Sequence, residues 1–243
     1  MATPRSMICK GCWCQMRVPV PIRGPLSLPL RVFGIRRSRM NPNLCTVCEL
    51  MFKVVMRRRN VEAELTILFA DLRGYTALSQ TLDAGQMQEL LGVFYDECAE
   101  AIWGHDGLLN KTVGDAVMGI FNFPIARPDH ARQADSAARE LQRRCAARKA
   151  ALVARGFDPE VLGIGVGVHT GIASFGEFGR VHKDFTAIGE TVNLAARLQA
   201  AARPGEVLAS AAAFGKLDGE GEGAGVRACS LKGYAEPVTA YLM

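Results

Sequence analysis

The sequence predicts an α+β fold: a ferredoxin-like β-α-β-β-α-β core with C-terminal additions, preceded by a small Cys-rich segment. Three observations predict it. Strand-like and helix-like hydrophobic patterns alternate from residue 61 to the C-terminus. Five of the eight cysteines fall before residue 50. The charge also divides near residue 60. Residues 1–60 hold twelve Lys and Arg against Glu49 alone, a net +11, and since the whole chain carries +5, residues 61–243 carry −6. At 243 residues, 49% hydrophobic and 22% charged, the chain is globular in composition and long enough for one ordinary domain plus an appendage. We divide it into a basic, Cys-rich segment at 1–60 and a main domain at 61–243.

The first segment contains two Cys-x-x-Cys pairs, Cys9/Cys12 and Cys45/Cys48. Four thiolates suit a tetrahedral Zn²⁺. The 32 residues between the pairs exceed the usual zinc-ribbon spacing, and Cys14 is a spare thiol. A redox-active or iron–sulfur arrangement, or no metal, are the alternatives. The runs Arg36-Arg37-Ser38-Arg39 and Arg57-Arg58-Arg59 are basic, but there is no finger spacing and little aromatic interleaving beyond Trp13 and Phe33. A solvated regulatory or docking surface is expected here, and nucleic-acid binding is not. The most apolar stretch, 18–35, is interrupted by Pro19, Pro21, Pro25, Pro29, Arg23 and Arg31, so no transmembrane segment is expected. The early cysteines and prolines fit an amphipathic presequence poorly, and a cytoplasmic protein is the expectation.

The main domain opens with a β-rich run at 64–69 that ends at Asp71. Leu78, Leu82, Met87, Leu90, Leu91, Phe94, Cys98 and Ile102 then recur at helical spacing, up to a turn at Gly104-His105-Asp106-Gly107. Strands at 108–112 and 116–121 join around Gly114-Asp115 as a hairpin. An Ala/Arg-rich helix follows at about 129–155, then a buried strand at 162–169. After a stretch carrying Gly171, Gly176 and Gly179 come a strand at 185–188 and a helix at 190–201. Shorter strands at 206–209, 226–231 and 238–242 complete the chain, and Cys98, Cys145 and Cys229 read as small core residues.

In a ferredoxin-like layout the end of the first strand lies beside the hairpin, so Asp71 and Asp115, about 40 residues apart, converge. Singly, Asp71 reads as a helix cap and Asp115 as a turn residue. Together they suit Mg²⁺ or Mn²⁺. The backbone N–H groups of Leu72, Arg73, Gly74, Tyr75 and Thr76, at a helix start, suit phosphate oxygens. The combination describes a two-metal phosphoryl site.

Three motifs carry a resemblance: Phe69-Ala70-Asp71-Leu72-Arg73-Gly74-Tyr75-Thr76, Lys111-x-x-Gly114-Asp115-x-x-Met118, and Thr186-Ala187-Ile188-Gly189-Glu190-Thr191-Val192-Asn193-Leu194-Ala195-Ala196-Arg197-Leu198. In that order, from about residue 62 to the C-terminus, the chain resembles the catalytic domain of class III nucleotidyl cyclases. The resemblance implies that Asp71 and Asp115, with the Leu72 carbonyl, hold two Mg²⁺ or Mn²⁺. It implies that Asn193 and Arg197 form the transition-state pair, Asn193 orienting the ribose and Arg197 stabilising charge on the α-phosphate. Lys111 matches the lysine that accompanies adenine selection, where guanylate cyclases of the family typically place Glu. Its usual partner is Asp, whereas Thr186 stands here, as in a bacterial subgroup of adenylate cyclases, several of them responsive to bicarbonate or CO₂. Lys232 matches a position that often holds a triphosphate-contacting lysine.

The resemblance also implies an active site formed between two cyclase domains. This chain carries both halves, so a head-to-tail homodimer with two equivalent sites is expected. The implied reaction is conversion of ATP to 3′,5′-cyclic AMP and pyrophosphate for intracellular signalling. The alternatives are a guanylate cyclase using GTP, and a catalytically silent cyclase-like nucleotide sensor or interaction module.

Overall fold

The computed structural model describes residues 5–58, 60–154, 163–179, 181, 183–217 and 225–243. The N-terminal segment contains α1 (Lys10–Met16), α2 (Leu28–Val32) and α3 (Thr46–Arg58). There follow β1 (Val61–Arg73), α4 (Tyr75–Thr81), α5 (Ala84–Gly104), β2 (Leu108–Val113), β3 (Ala116–Phe121) and α6 (His130–Val153). The chain continues through β4 (Gly163–Phe178), β5 (Asp184–Ile188), α7 (Glu190–Ala201), β6 (Val207–Ser210), α8 (Ala211–Phe214), β7 (Gly225–Cys229) and β8 (Val238–Leu242). Arg59 and the expected ends at Arg155 and Leu162 lie outside the described residues.

Among the described residues one eight-stranded sheet runs in the order β2-β3-β1-β4-β6-β8-β7, with β5 pairing on β4. Its first four strands have the expected ferredoxin-like arrangement. β1 lies antiparallel between β3 and β4, and β2 joins β3 through the hairpin. β6 adds in parallel to β4, and β8 and β7 follow antiparallel.

Alternation along the strands sorts the two faces. Leu68, Ala70 and Leu72 of β1 pack with Ile164, Val166 and Val168 of β4 against α5 and α6. Leu65 and Ile67 share the opposite face with Ala195 of α7. On that face β4 is nearly bare. A Cβ on Gly167 would lie 2.2 Å from the Gln199 nitrogen and 2.4 Å from the Ala195 carbonyl oxygen, so α7 approaches the sheet at backbone distance. The stretch carrying Gly171 and Gly176, where the sequence predicts no strand, is the second half of the 16-residue β4, and Gly179 lies just beyond its end.

The helix expected from the spacing of Leu78 to Ile102 is broken in two. Leu82 is extended, and Asp83 starts a new helix with a reciprocal capping box: Gln86 N–H to Asp83 Oδ1 at 2.8 Å and Asp83 N–H to Gln86 Oε1 at 3.0 Å. The apolar positions stay nearly in phase across the break, which hides it from a periodicity argument. Cys98 and Cys229 are buried as expected, and Cys145 is half-buried. The N-terminal helices enclose a separate small core of Cys9, Cys12, Ile22, Leu44, Cys45 and Cys48, closed by Ile125.

Candidate active site

β1 ends where the β2–β3 hairpin turns. Asp71 stands opposite Ala116, and the Leu72 N–H donates to the Asp115 carbonyl at 3.2 Å. That bond takes up the Leu72 N–H, expected from the sequence to meet phosphate oxygens, because the end of β1 closes onto the hairpin turn. Gly114 holds the turn at φ 60, a conformation that costs a side-chain-bearing residue about 1–2 kcal/mol. The Tyr95 hydroxyl of α5 donates to the Gly114 carbonyl and pins the turn from outside. The two carboxylates therefore meet at one corner, both partly buried.

Burial first, and then the negative charge of Asp115, raise the Asp71 carboxyl to about 6, while the charge of Arg73 and the Gln199 side chain pull the other way. A pair of mutually repelling, partly desolvated carboxylates is an electrostatic site for hard cations. Arg73 itself donates to the Gln199 carbonyl of α7 and lies across Gly165, where a Cβ would strike its guanidinium. Its side chain is thus tied to α7. Arg73 Nε and Gln199 Nε2 are buried without a hydrogen-bond partner among the described residues. Gly74, at φ 75, caps α4 and turns the chain through Tyr75 and Thr76.

Beside this corner opens a cavity of about 450 Å³, lined in part by Phe69, Lys111, Met118, Asp184, Thr186 and Val192. Lys111 and Thr186, 75 positions apart in sequence, share it. Lys111 Nζ pairs with Asp184 Oδ2 at 2.6 Å. Thr186 Oγ1 donates to Asn110 Oδ1 at 2.8 Å, and Asn110 Nδ2 donates to the Phe185 carbonyl at 2.8 Å. A second cavity, about 250 Å³ and mostly apolar, opens on the α5/α6 face.

Sequence reasoning missed Asn110, Asp184 and Tyr95. Asp184 was findable, since it lies two residues before Thr186 on β5 and shares its face. Asn110 was not. Neighbours on a regular strand point to opposite faces, but the β2–β3 register shifts between Leu109 and Lys111, and at that irregularity Lys111 lines the cavity while Asn110 bonds Thr186.

α7 buries Thr191, Ala195, Leu198 and Gln199. Asn193 and Arg197, four residues apart, are exposed on its other side. The structure therefore gathers Asp71, Asp115, Lys111 and Thr186, and holds Asn193 and Arg197 facing outward. Lys232 is exposed in the turn between β7 and β8.

Residues 58–243 match the family model described as the adenylate and guanylate cyclase catalytic domain. "Adenylate cyclase 1" of Rhizobium meliloti is 33% identical over 137 residues, 56% of this chain and 20% of that protein. The adenylyl cyclase CyaB from P. aeruginosa superimposes with a TM-score of 0.70 at 30% identity, covering 76% of this chain and 95% of that one. The guanylyl cyclase Cya2 gives 0.69 at 25% identity, covering 75% and 92%. The chain spans only 20% to 44% of the length of the curated relatives it first matches. Sequence and fold agree over about three quarters of the chain, and the chain belongs to the class III adenylate and guanylate cyclase catalytic-domain family.

Proposed function

We propose that the chain is an adenylate cyclase, converting ATP into 3′,5′-cyclic AMP and pyrophosphate as a head-to-tail homodimer in the cytoplasm. The observation that carries this reading is the hydrogen-bond polarity of the cavity. The amide of Asn110 is oriented by the Phe185 carbonyl, so its oxygen receives the Thr186 proton at 2.8 Å. The Ala187 carbonyl, the other acceptor in reach, is longer at 3.3 Å and would consume the same proton. Either way Thr186 offers the cavity lone pairs, which accept from an exocyclic amine, while Lys111 donates to a ring nitrogen. Adenine has that pattern. Guanine has a carbonyl and a ring N–H in the corresponding places, and each buried mismatch costs about 1–3 kcal/mol.

Asp71 and Asp115 supply hard anionic oxygens and, with the Leu72 carbonyl, would hold two Mg²⁺ or Mn²⁺. Bound there, the ions would neutralise polyphosphate charge and lower the pKa of the ribose 3′-hydroxyl. The rest is done by the chain's own groups. The turn at Arg73, Gly74, Tyr75 and Thr76 offers backbone N–H groups to the phosphates, joined by Lys232. Asn193 orients the ribose. Arg197 stabilises the charge that grows on the α-phosphate as the 3′-oxygen–phosphorus bond forms and the bond to pyrophosphate breaks.

Arg197 lies about 160° around α7 from both Ala195 and Gln199, the residues turned toward the sheet, and Asn193 about 160° from Ala195 and about 120° from Gln199. In one protomer they therefore face away from Asp71, and they reach a nucleotide only across an interface with a second copy. We assign catalysis to residues 61–243 and treat 1–60 as a separate unit. A second reading, GTP as substrate, draws on Asp184, an acceptor in the same cavity suited to the guanine ring N–H and amine.

The test is product formation by purified protein with Mn²⁺ and either ATP or GTP, separated by chromatography. Cyclic AMP from ATP alone is expected. Cyclic GMP would overturn the base assignment, and no product from a dimeric sample would overturn the enzymatic one. Mixing inactive Asp71→Ala with inactive Arg197→Ala should restore about a quarter of wild-type activity, since half the dimers are mixed and each has one intact site. No restoration would refute the shared site.

A further inference from the structure

We propose that Cys9, Cys12, Cys45 and Cys48 form a tetrathiolate site for one zinc ion, which locks the N-terminal segment onto the corner from which β2 starts. The four sulfurs all lie within 4.8 Å of one another. Three pairs are 3.4, 3.6 and 3.7 Å apart: Cys12–Cys48, Cys12–Cys45 and Cys9–Cys48. A zinc ion with bonds of about 2.3 Å to four sulfurs at tetrahedral angles sets them about 3.8 Å apart. All four are buried and none is in a disulfide. Cys12 lies about equally near Cys45 and Cys48, so the cluster is not sorted into two disulfide pairs.

The backbone around the cluster favours thiolates. The N–H groups of Cys12 and Cys45 donate to Cys9 Sγ at 3.4 and 3.2 Å, and that of Cys48 to Cys45 Sγ at 3.5 Å. Several thiolates gathered in a buried site need a cation among them. The site is also sealed. A Cβ on Gly11 would lie 2.9 Å from both Cys48 Sγ and Leu44 Cδ2, so only glycine lets α1 close over the sulfurs. Among the described residues, this core adds to the cysteines the buried Ile22, Leu44 and Ile125 and the half-buried Val20, Ile35 and Phe52, little for so short a segment to hold its shape without a staple. A closed tetrahedral set of four sulfurs suits structural zinc.

The locked segment reaches the corner through the loop just before Cys45. Asn41 Nδ2 donates to the Gly107 carbonyl at 2.8 Å, Asn43 Nδ2 to the Trp103 carbonyl at 3.3 Å, and Trp103 Nε1 to the Met40 carbonyl at 2.8 Å. Lys10, beside Cys9, pairs with the buried Asp106. One turn beyond Cys48, Phe52 begins a run of ring contacts. It passes to Phe123 at 5.4 Å, to Phe175 at 4.3 Å, and to Phe185, next to Thr186, at 4.7 Å.

The test is metal content and spectroscopy of the full chain, and it is independent of the substrate reading. One zinc per chain is expected, and replacement by Co²⁺ should give the absorption of a tetrahedral tetrathiolate. Cys45→Ser and Cys48→Ser should each weaken zinc binding more than about tenfold, while Cys14→Ser, at the exposed spare cysteine, leaves it unchanged. If those variants do not fold, the Co²⁺ spectrum of the unmodified chain still decides. Iron in place of zinc, Cys9–Cys48 or Cys12–Cys45 disulfides found by mass spectrometry, or no metal after reconstitution would each overturn the proposal.

Discussion

At the scale of single residues, the proposed selection of adenine rests on the direction of one proton. Thr186 can donate or accept, and Asn110, held by the Phe185 carbonyl, is the nearer of the two acceptors that turn its proton from the cavity. Asn110→Ala leaves that proton to the longer contact with the Ala187 carbonyl. A hydrogen bond of this kind is worth about 1 kcal/mol net. We therefore expect kcat/KM for ATP to fall by about fivefold or more and the preference over GTP to shrink. An unchanged ATP-to-GTP ratio in steady-state kinetics of the variant would remove Asn110 from this role. Tyr95 acts in the same indirect way, since its hydroxyl meets the Gly114 carbonyl and not the carboxylates.

At the scale of elements, the decisive contact is α7 on β4. Asp71, Arg73 and Gln199 are neighbours because Gly167 lets the helix sit on the strand's backbone and Gly165 leaves room for the Arg73 side chain. Gly167→Ala places a methyl 2.2 Å from a backbone nitrogen, a clash that no side-chain rotation relieves. The expected cost is about 1–3 kcal/mol or more, with α7 displaced and activity lost. Gly92→Ala is the contrasting case, because its Cβ meets nothing within 4 Å on the exposed side of α5. It should stabilise by about 0.5–1 kcal/mol through helix propensity. Denaturant midpoints of the two variants check both signs, and a harmless Gly167→Ala would mean that the helix is less closely seated.

At the scale of the molecule, two buried histidines and a half-buried one shape the response to acid. His105, His130 and His169 all have pKa values lowered, in each case chiefly by burial. Their unfolded forms take up protons below about pH 6.5, before the folded forms do, so the stability they contribute is present above that pH and is lost as pH falls. Asp71 works oppositely. Raised to about 6, it is protonated in the folded state while its unfolded form is still charged, so it adds stability as pH falls toward about 4. Paired acids such as Asp129 and Glu206, both lowered to about 2, do not titrate in this window. With three groups against one, the Tm should be lower at pH 5 than at pH 7, and Asp71→Asn should steepen the fall. A flat profile in thermal melts would contradict this balance.

Much of this was legible in the sequence. The β3, α7 and β8 bounds were read directly, because a strong local period and a nearby turn residue mark each of them. The convergence of Asp71 and Asp115 at one corner was legible, and so was the clustering of the two Cys-x-x-Cys pairs, since both signals are short spacings of chemically distinctive residues. The break at Asp83, the strand made from a glycine stretch, and the bond between Asn110 and Thr186 were not legible. Each depends on which distant segment arrives opposite. Sequence alone singled out most of the residues proposed to carry the chemistry, because residue type and local period are written along the chain. Only the tertiary structure decided how they are aimed, because a strand irregularity, a bare strand face and the outward turn of Asn193 and Arg197 arise from contacts between segments far apart in the chain.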